Sequence, residues 1–78
     1  MSKSNKNPLL RKFGNLVHDA RVKKGLSQEE LGFELDLHRT YIGMIERAER
    51  NISFSHAIKL IQYLDINIKE LYVKQKKS

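Results

Sequence analysis

Apolar residues recur at three- and four-residue steps along most of this chain, and no segment sustains the two-residue alternation of a half-buried strand. This spacing predicts an all-α chain with five helices. They cover about residues 9–24, 27–35, 38–47, 54–64 and a short stretch after 67. The first helix would bury an apolar face made of Leu9, Phe13, Leu16, Val17 and Ala20.

Residues with known preferences for helix ends mark the boundaries between these segments. Gly25 follows the first helix, where a residue that tolerates positive φ is favoured. Ser27 and Glu30 have the spacing of a capping box, in which each side chain accepts a hydrogen bond from a backbone amide of the first turn. Either Ser53 or Ser55 caps the fourth helix. The helices are therefore expected to be joined by short turns.

The second and third helices are short, and residues 36–37 form a tight turn between them. On the third helix Ile42 and Ile45 point to the core at a three-residue step. The opposite side then carries four residues that a buried helix does not need: Arg39, Thr40, Gly43 and Met44. Two helices at a sharp angle, the second with exposed side chains that can reach base edges, form the helix-turn-helix that enters the DNA major groove.

The size and composition exclude several kinds of support for the fold. A chain of 78 residues suits one domain near the lower size limit for a self-sufficient core. It has no cysteine, so disulfides and thiolate metal sites are excluded. His18, His38 and His56 lack the spacing of a common metal motif, and we expect no metal and no cofactor. A partner subunit is the expected support.

The net charge of +6 lies mainly in the two ends of the chain. Residues 9–73 hold 10 basic and 9 acidic side chains, a net charge of +1. Solvated termini that aid solubility and attraction to a polyanion both explain the basic ends. Because the basic and acidic charges in the middle of the chain nearly cancel, DNA binding would depend on where particular arginines lie.

Other functional classes have little support in the sequence. The N-terminal segment is polar, without the apolar core of a signal peptide, and no apolar run approaches the roughly 18 residues of a membrane span. We therefore expect a cytoplasmic protein that does not bind membranes. No nucleophile–base pair, phosphate-binding glycine loop or metal set indicates an enzyme. Glu29, Glu30 and Glu34 lie on one short helix and are expected to serve solubility.

Two motifs carry a resemblance to a known family. They are R-x-x-K-G-L-S-Q-E-E-L, starting at Arg21, and L-x-R-T-Y-I-x-x-I-E-R, starting at Leu37. Over about residues 9–73 the chain resembles the Cro/C1-type, or Xre-type, helix-turn-helix regulators, which implies a compact five-helix, lambda-repressor-like DNA-binding domain. The single-domain length and the I-E-R and R-N segments look like the controller proteins of restriction–modification systems, and many antitoxins and small phage repressors share these features.

The resemblance implies which residues touch DNA. Arg39 and Thr40 would reach base edges from the first turn of the third helix, where arginine can pair bidentately with guanine. Met44 would touch a thymine methyl group, and Gly43 would allow close approach of the backbone to DNA. The expected contacts with the DNA backbone are Gln28, Tyr41, Arg47, Arg50 and Asn51. A packing role for Tyr41, and an ordinary solvated loop for the last three residues, are the alternatives.

The resemblance also implies a structural ion pair between Arg21, late in the first helix, and Glu46, at the end of the third. Three positions depart from the family pattern. Gly32 replaces a commoner alanine, Ala48 stands where a glycine usually ends the third helix, and His38 stands where serine or threonine usually caps it. A left-handed turn at Ala48 would be strained, so we expect the helix to run on or the loop to differ.

Together these features predict a sequence-specific transcriptional regulator that binds operator DNA as a homodimer and controls its own gene. The expected arrangement is a flexible arm at 1–8, the DNA-binding and dimerisation domain at 9–73 and a basic tail at 74–78. The candidate dimer surface is apolar: Phe54, Tyr63, Ile66, Ile68 and Tyr72. His18 and His56 are expected to be simple surface residues. No small-molecule ligand is expected, and RNA polymerase is a further candidate partner. The alternative is an antitoxin or phage-type repressor whose main partner is another protein.

Overall fold

The computed structural model describes residues 7–71, which form four α-helices and one turn of 3-10 helix without any strand. The bounds are α1 Pro8–Lys23, α2 Gln28–Leu35, α3 Arg39–Glu46, α4 Phe54–Leu64 and the 3-10 turn Ile68–Leu71. The all-α prediction is confirmed. The count of five helices was slightly high, because the last segment is a single 3-10 turn. Tyr72, the basic tail and most of the expected N-terminal arm lie outside the described residues.

The helix starts follow from side chains that accept backbone amides. Asn7 Oδ1 accepts from the Leu9 amide at 2.8 Å, so α1 begins at Pro8, one residue earlier than predicted. The capping box is present: the Glu30 amide donates to Ser27 Oγ at 2.9 Å, and the Ser27 amide donates to Glu30 Oε1 at 2.8 Å. His38, the unusual cap of α3, accepts from the Thr40 amide through Nδ1 at 3.0 Å. An imidazole nitrogen thus replaces the usual hydroxyl.

Ala48 adopts the left-handed conformation that its side chain disfavours, with a φ of 56°. One expectation was that α3 would continue past Ala48, but the helix ends at Glu46. A left-handed non-glycine residue costs roughly 1–2 kcal/mol. The Ala48 methyl group is buried, with 3% of the residue exposed, and burial of a methyl-sized group recovers about 0.8 kcal/mol. The family's turn is kept because this alanine joins the core.

The core lies where α1, α2, α3 and α4 meet. Its buried side chains are Phe13, Val17, Leu31, Ile42, Ile45, Leu60, Leu64 and Ile66. Two predictions were wrong here. Leu9 is 47% exposed, since it lies in the first turn of α1, beyond the reach of the other helices. Ile66, a predicted dimer residue, is only 8% exposed, because the chain turns back into the core after Asp65, whose φ is 57°.

Two glycines allow the helices around α3 to approach closely. A Cβ at Gly14 would lie 2.5 Å from the Ile45 carbonyl oxygen and 2.7 Å from that of Glu46. Gly32 leaves room for the Leu37 carbonyl group, with which a Cβ would collide. Gly32, where the family more often has alanine, therefore lets the start of α3 lie against α2. Gly14 lets the end of α3 lie against α1. Across residues 7–71, every helix is too short or too polar to cross a membrane.

Candidate nucleic-acid interface

The outer face of α3 begins with two exposed side chains, Arg39 and Thr40. Ile42 and Ile45 lie on the buried face, as the spacing predicts. Met44, one turn further on, is half-buried. Arg39 Nη1 lies 3.6 Å from Glu29 Oε1, and both side chains are more than half exposed. An exposed pair at this distance is weak, so Arg39 can exchange Glu29 for another acceptor.

Glu46 joins three helices behind this face. Its side chain is 4% exposed, and Arg21 Nε donates to its Oε2 at 2.6 Å. Gln28 Nε2 donates to Oε1 at 3.0 Å, and His18 Nδ1 lies 3.1 Å from the same atom. Arg21 also donates to the Leu26 carbonyl oxygen at 2.8 Å. The predicted pair of Arg21 and Glu46 is therefore present in the structure, within a larger network that fixes α3 to α1 and α2.

The network favours the charged forms of both partners. Burial of Glu46 opposes its ionisation and would raise its pKa, but hydrogen bonds from Arg21, Gln28 and His18 outweigh burial and hold the pKa below its ordinary value. The hydrogen bond to Glu46 raises the pKa of Arg21 above its already high value. Both groups are therefore charged at neutral pH, and the carboxylate accepts from every side.

The structure changes the interpretation of Gly43 and Gln28. Gly43 is buried, and a Cβ there would lie 3.1 Å from Arg47 Nη1 and 3.3 Å from Gln28 Oε1. These two side chains cover Gly43, so its backbone is not bare as expected, and its close approach to DNA stays a prediction. The Gln28 amide group is already bound to Glu46, and its phosphate contact stays a prediction.

Tyr41 and His56 form a contact that the sequence did not indicate. The Tyr41 hydroxyl lies 2.9 Å from His56 Nδ1, and the two rings meet edge to face with centroids 5.2 Å apart. His56 is half-buried, so the expectation of a simple surface residue was wrong. His18 is exposed as expected, but it contacts Glu46. Neither contact has a sequence signal, since the partners are 15 and 28 positions apart.

The loop after α3 carries the remaining predicted phosphate contacts. Arg47 is about half exposed and donates to Glu49 at 2.8 Å and 3.3 Å. This hydrogen bond raises the pKa of Arg47. Arg50 and Asn51 are exposed and lie beside Tyr41 in the lining of one surface pocket. The loop therefore places Arg47 and Arg50 at the C-terminal end of α3.

Three of the predicted dimer residues are exposed apolar side chains: Phe54 at 81%, Ile68 at 59% and Tyr63 at 37%. Phe54 and Tyr63 are nine positions apart, which at 3.6 residues per turn puts them on opposite sides of α4. Tyr63 also has the Lys24 ammonium group over its ring, at 5.8 Å. Phe33 on α2 is 85% exposed.

Comparison with known proteins places these features in a family. A helix-turn-helix family model matches residues 17–71. The chain is 47% identical over 60 residues to the control protein C.BamHI of Bacillus amyloliquefaciens, covering 76% of this chain and 74% of that protein. Its fold is similar to the restriction–modification controller protein C.AhdI of Aeromonas hydrophila, with a TM-score of 0.70, 46% identity and coverage of 81% and 96%.

A second solved structure is the controller protein C.Esp1396I, a tetramer in complex with its natural 35-base-pair operator. The TM-score is 0.73 at 31% identity, covering 85% of this chain and 97% of that one. The family match runs from α1 to the end of the described residues and includes α2, α3 and the loop after them. The chain belongs to the Cro/C1-type family of helix-turn-helix regulators, which are not enzymes, and its relatives there include restriction–modification controller proteins.

Proposed function

We propose that this chain is a sequence-specific transcriptional regulator of the controller type, which binds operator DNA as a homodimer. The observation that carries the proposal is the exposure of Arg39 and Thr40 on the first turn of α3, a helix held by the Glu46 network. A fixed helix presents the two side chains in one geometry. The similarity to a controller protein bound to its operator supports the same role here.

Arg39 is the main candidate for reading a base. It can exchange its weak contact with Glu29 for bidentate hydrogen bonds to guanine O6 and N7. Such a pair discriminates against other bases by about 1–3 kcal/mol. Thr40 adds a hydroxyl and a methyl group at the next position. Arg47, Arg50 and Asn51 bind phosphates on either side and set the register without reading sequence.

A second copy of the chain doubles these few contacts. In a twofold dimer the two α3 helices would read half-sites about 34 Å apart, or a multiple of that distance. Because Phe54 and Tyr63 lie on opposite sides of α4, one twofold interface uses one of them. We assign it to Phe54, which is more exposed and has no ammonium group over its ring among residues 7–71. The regulator then activates its own gene at low concentration, through contact with RNA polymerase, and represses it at high concentration.

One footprint on the chain's own upstream DNA tests the DNA-binding proposal. We expect protection of a partly symmetric site, and tighter binding to that duplex than to random duplex at about 150 mM salt. Equal affinity for the two duplexes contradicts it.

The oligomeric state is tested separately by sedimentation equilibrium. Phe54→Ser is expected to give monomers, whereas the matched variant Tyr63→Ser keeps the dimer. The reverse result moves the interface to the other side of α4.

A further inference from the structure

Tyr41 and His56 connect the reading helix to α4 through one hydrogen bond with a fixed geometry. The Tyr41 hydroxyl oxygen and His56 Nδ1 are 2.9 Å apart, and the ring planes make an angle of 72°. The Tyr41 ring packs against the core. The His56 backbone amide donates to Ser53 Oγ at 3.2 Å, in the first turn of α4. Both side chains are half-buried, so each is held by its own helix.

The pair lies where a DNA phosphate is expected. Tyr41 and His56 line a surface pocket of about 590 Å³, together with Arg50, Asn51 and Ser53. Arg50 supplies a positive charge to the same pocket. A phosphate oxygen accepts hydrogen bonds and has no proton to donate. The Tyr41 hydroxyl can therefore serve a phosphate only as a donor.

The direction of the hydrogen bond decides whether Tyr41 can donate. A phenol has one proton. When His56 Nδ1 carries no proton, Tyr41 donates to it, and the hydroxyl oxygen can only accept. When Nδ1 carries a proton, His56 donates to the hydroxyl oxygen, and the phenol proton is free to point elsewhere.

We propose that His56 is a positioning residue for DNA binding, which donates from Nδ1 and so turns the Tyr41 proton towards a backbone phosphate of the bound duplex. The inference rests on the proposed DNA-binding function, and it assigns to α4 a role in contacts made by α3. Tyr41 touches the phosphate, and His56 acts through it.

The tautomer of His56 is then linked to DNA affinity. A neutral imidazole has a proton on Nδ1 in only one of its two tautomers. The charged side chains that line the same pocket are Arg50 from the loop after α3 and Asp36 from the turn before it. A phosphate in the pocket adds negative charge beside the ring. Bound DNA therefore favours the form of His56 that donates from Nδ1.

Three variants test the proposal. Tyr41→Phe removes the hydroxyl, and His56→Leu removes the donor. His56→Asn places an amide group near the position of Nδ1, where it can donate. The Kd for the upstream duplex and for random duplex is measured by fluorescence anisotropy at one pH and one salt concentration. Thermal unfolding of each variant under the same conditions checks that it is folded.

We expect Tyr41→Phe and His56→Leu each to weaken binding about tenfold, the effect of losing one hydrogen bond to a charged group. The double variant should lose no more than either single one. His56→Asn should bind nearly as well as the original chain.

Two results would overturn the role of His56: losses that multiply in the double variant, or a Tyr41→Phe protein with unchanged affinity. The proposed function fails in a different way, if the original chain binds its upstream duplex no better than random duplex. Coupling between the two residues on both duplexes supports the inference, since a phosphate contact does not depend on sequence.

Discussion

Glu46→Gln is the sharpest test of how α3 is held in place. The substitution keeps the shape of the side chain and removes its charge. Arg21 then has no counter-charge, although its side chain is only 11% exposed, and it keeps its hydrogen bond to the Leu26 carbonyl oxygen. Gln28 and His18 lose the charged acceptor that they share.

The expected loss follows from the burial of the pair. Removing one partner of a buried ion pair costs about 3–5 kcal/mol. The glutamine oxygen still accepts one hydrogen bond, worth about 1 kcal/mol, so the net loss should be about 2–4 kcal/mol. A chain of 78 residues has a total stability of about 4–12 kcal/mol at ordinary values per residue. Glu46→Gln should therefore remove a large share of the stability and still leave a folded population.

Urea unfolding followed by circular dichroism measures this loss, at one protein concentration because dimerisation adds stability. With a slope of about 1 kcal/mol/M, the midpoint should fall by about 2 M or more. The matched control is Glu29→Gln, whose carboxylate is 74% exposed and whose ion pair should be worth less than about 1 kcal/mol. Equal losses in the two variants would refute the role of Glu46 in fixing the helices.

Three further predictions use the same assays. Arg39→Ala should lower the affinity for operator DNA by about 1–3 kcal/mol and leave the affinity for random duplex little changed, whereas Arg50→Ala should weaken binding to both duplexes and reduce the salt slope by about 1. Anisotropy at several salt concentrations separates the two variants, and an equal effect of Arg39→Ala on both duplexes would contradict base reading. Gly14→Ala should destabilise the fold despite a helix-propensity gain of about 1 kcal/mol, because the new methyl group meets two carbonyl oxygens of α3. A higher urea midpoint would instead show that α1 and α3 can move apart at little cost. The folded pKa of Glu46 lies below the ordinary value of 4.5, so the stability that its charge adds is complete above about pH 4.5 and is lost as the pH falls through the folded pKa. The difference in the free energy of unfolding between the original chain and Glu46→Gln should therefore shrink below about pH 4.5, and a constant difference would argue against this stabilisation.

Local signals in the sequence predicted the helix ends and the reading face. The capping box of Ser27 and Glu30 depends on neighbouring residues, and so does the turn at Gly25. The three-residue step of Ile42 and Ile45 likewise determines which side of α3 is exposed. The motif resemblance supplied the pair of Arg21 and Glu46, which spacing alone does not reveal.

The failed predictions concern contacts between distant segments. Gly43 lies on the outer side of α3 by periodicity, but the side chains of Gln28 and Arg47 reach over it from α2 and from the loop. Tyr41 and His56 meet only because α4 packs beside α3. From the sequence Ile66 was expected on the surface, but the left-handed turn at Asp65 directs its side chain into the core. Periodicity assigns a residue to one side of its own helix and does not show what covers that side.

The arginines near α3 are held by carboxylates before DNA arrives. Arg39 lies beside Glu29, and Arg47 donates to Glu49, so in the proposed complex each arginine would exchange an internal acceptor for an external one. A randomly placed phosphate near these arginines gains little, because it replaces an acceptor that is already present. A duplex that offers guanine to Arg39 and phosphates to Arg47 and Arg50 at once gains from all of them together. The near neutrality of the domain therefore favours discrimination between sites over attraction to any DNA, and it explains how a small domain can read sequence with few contacts.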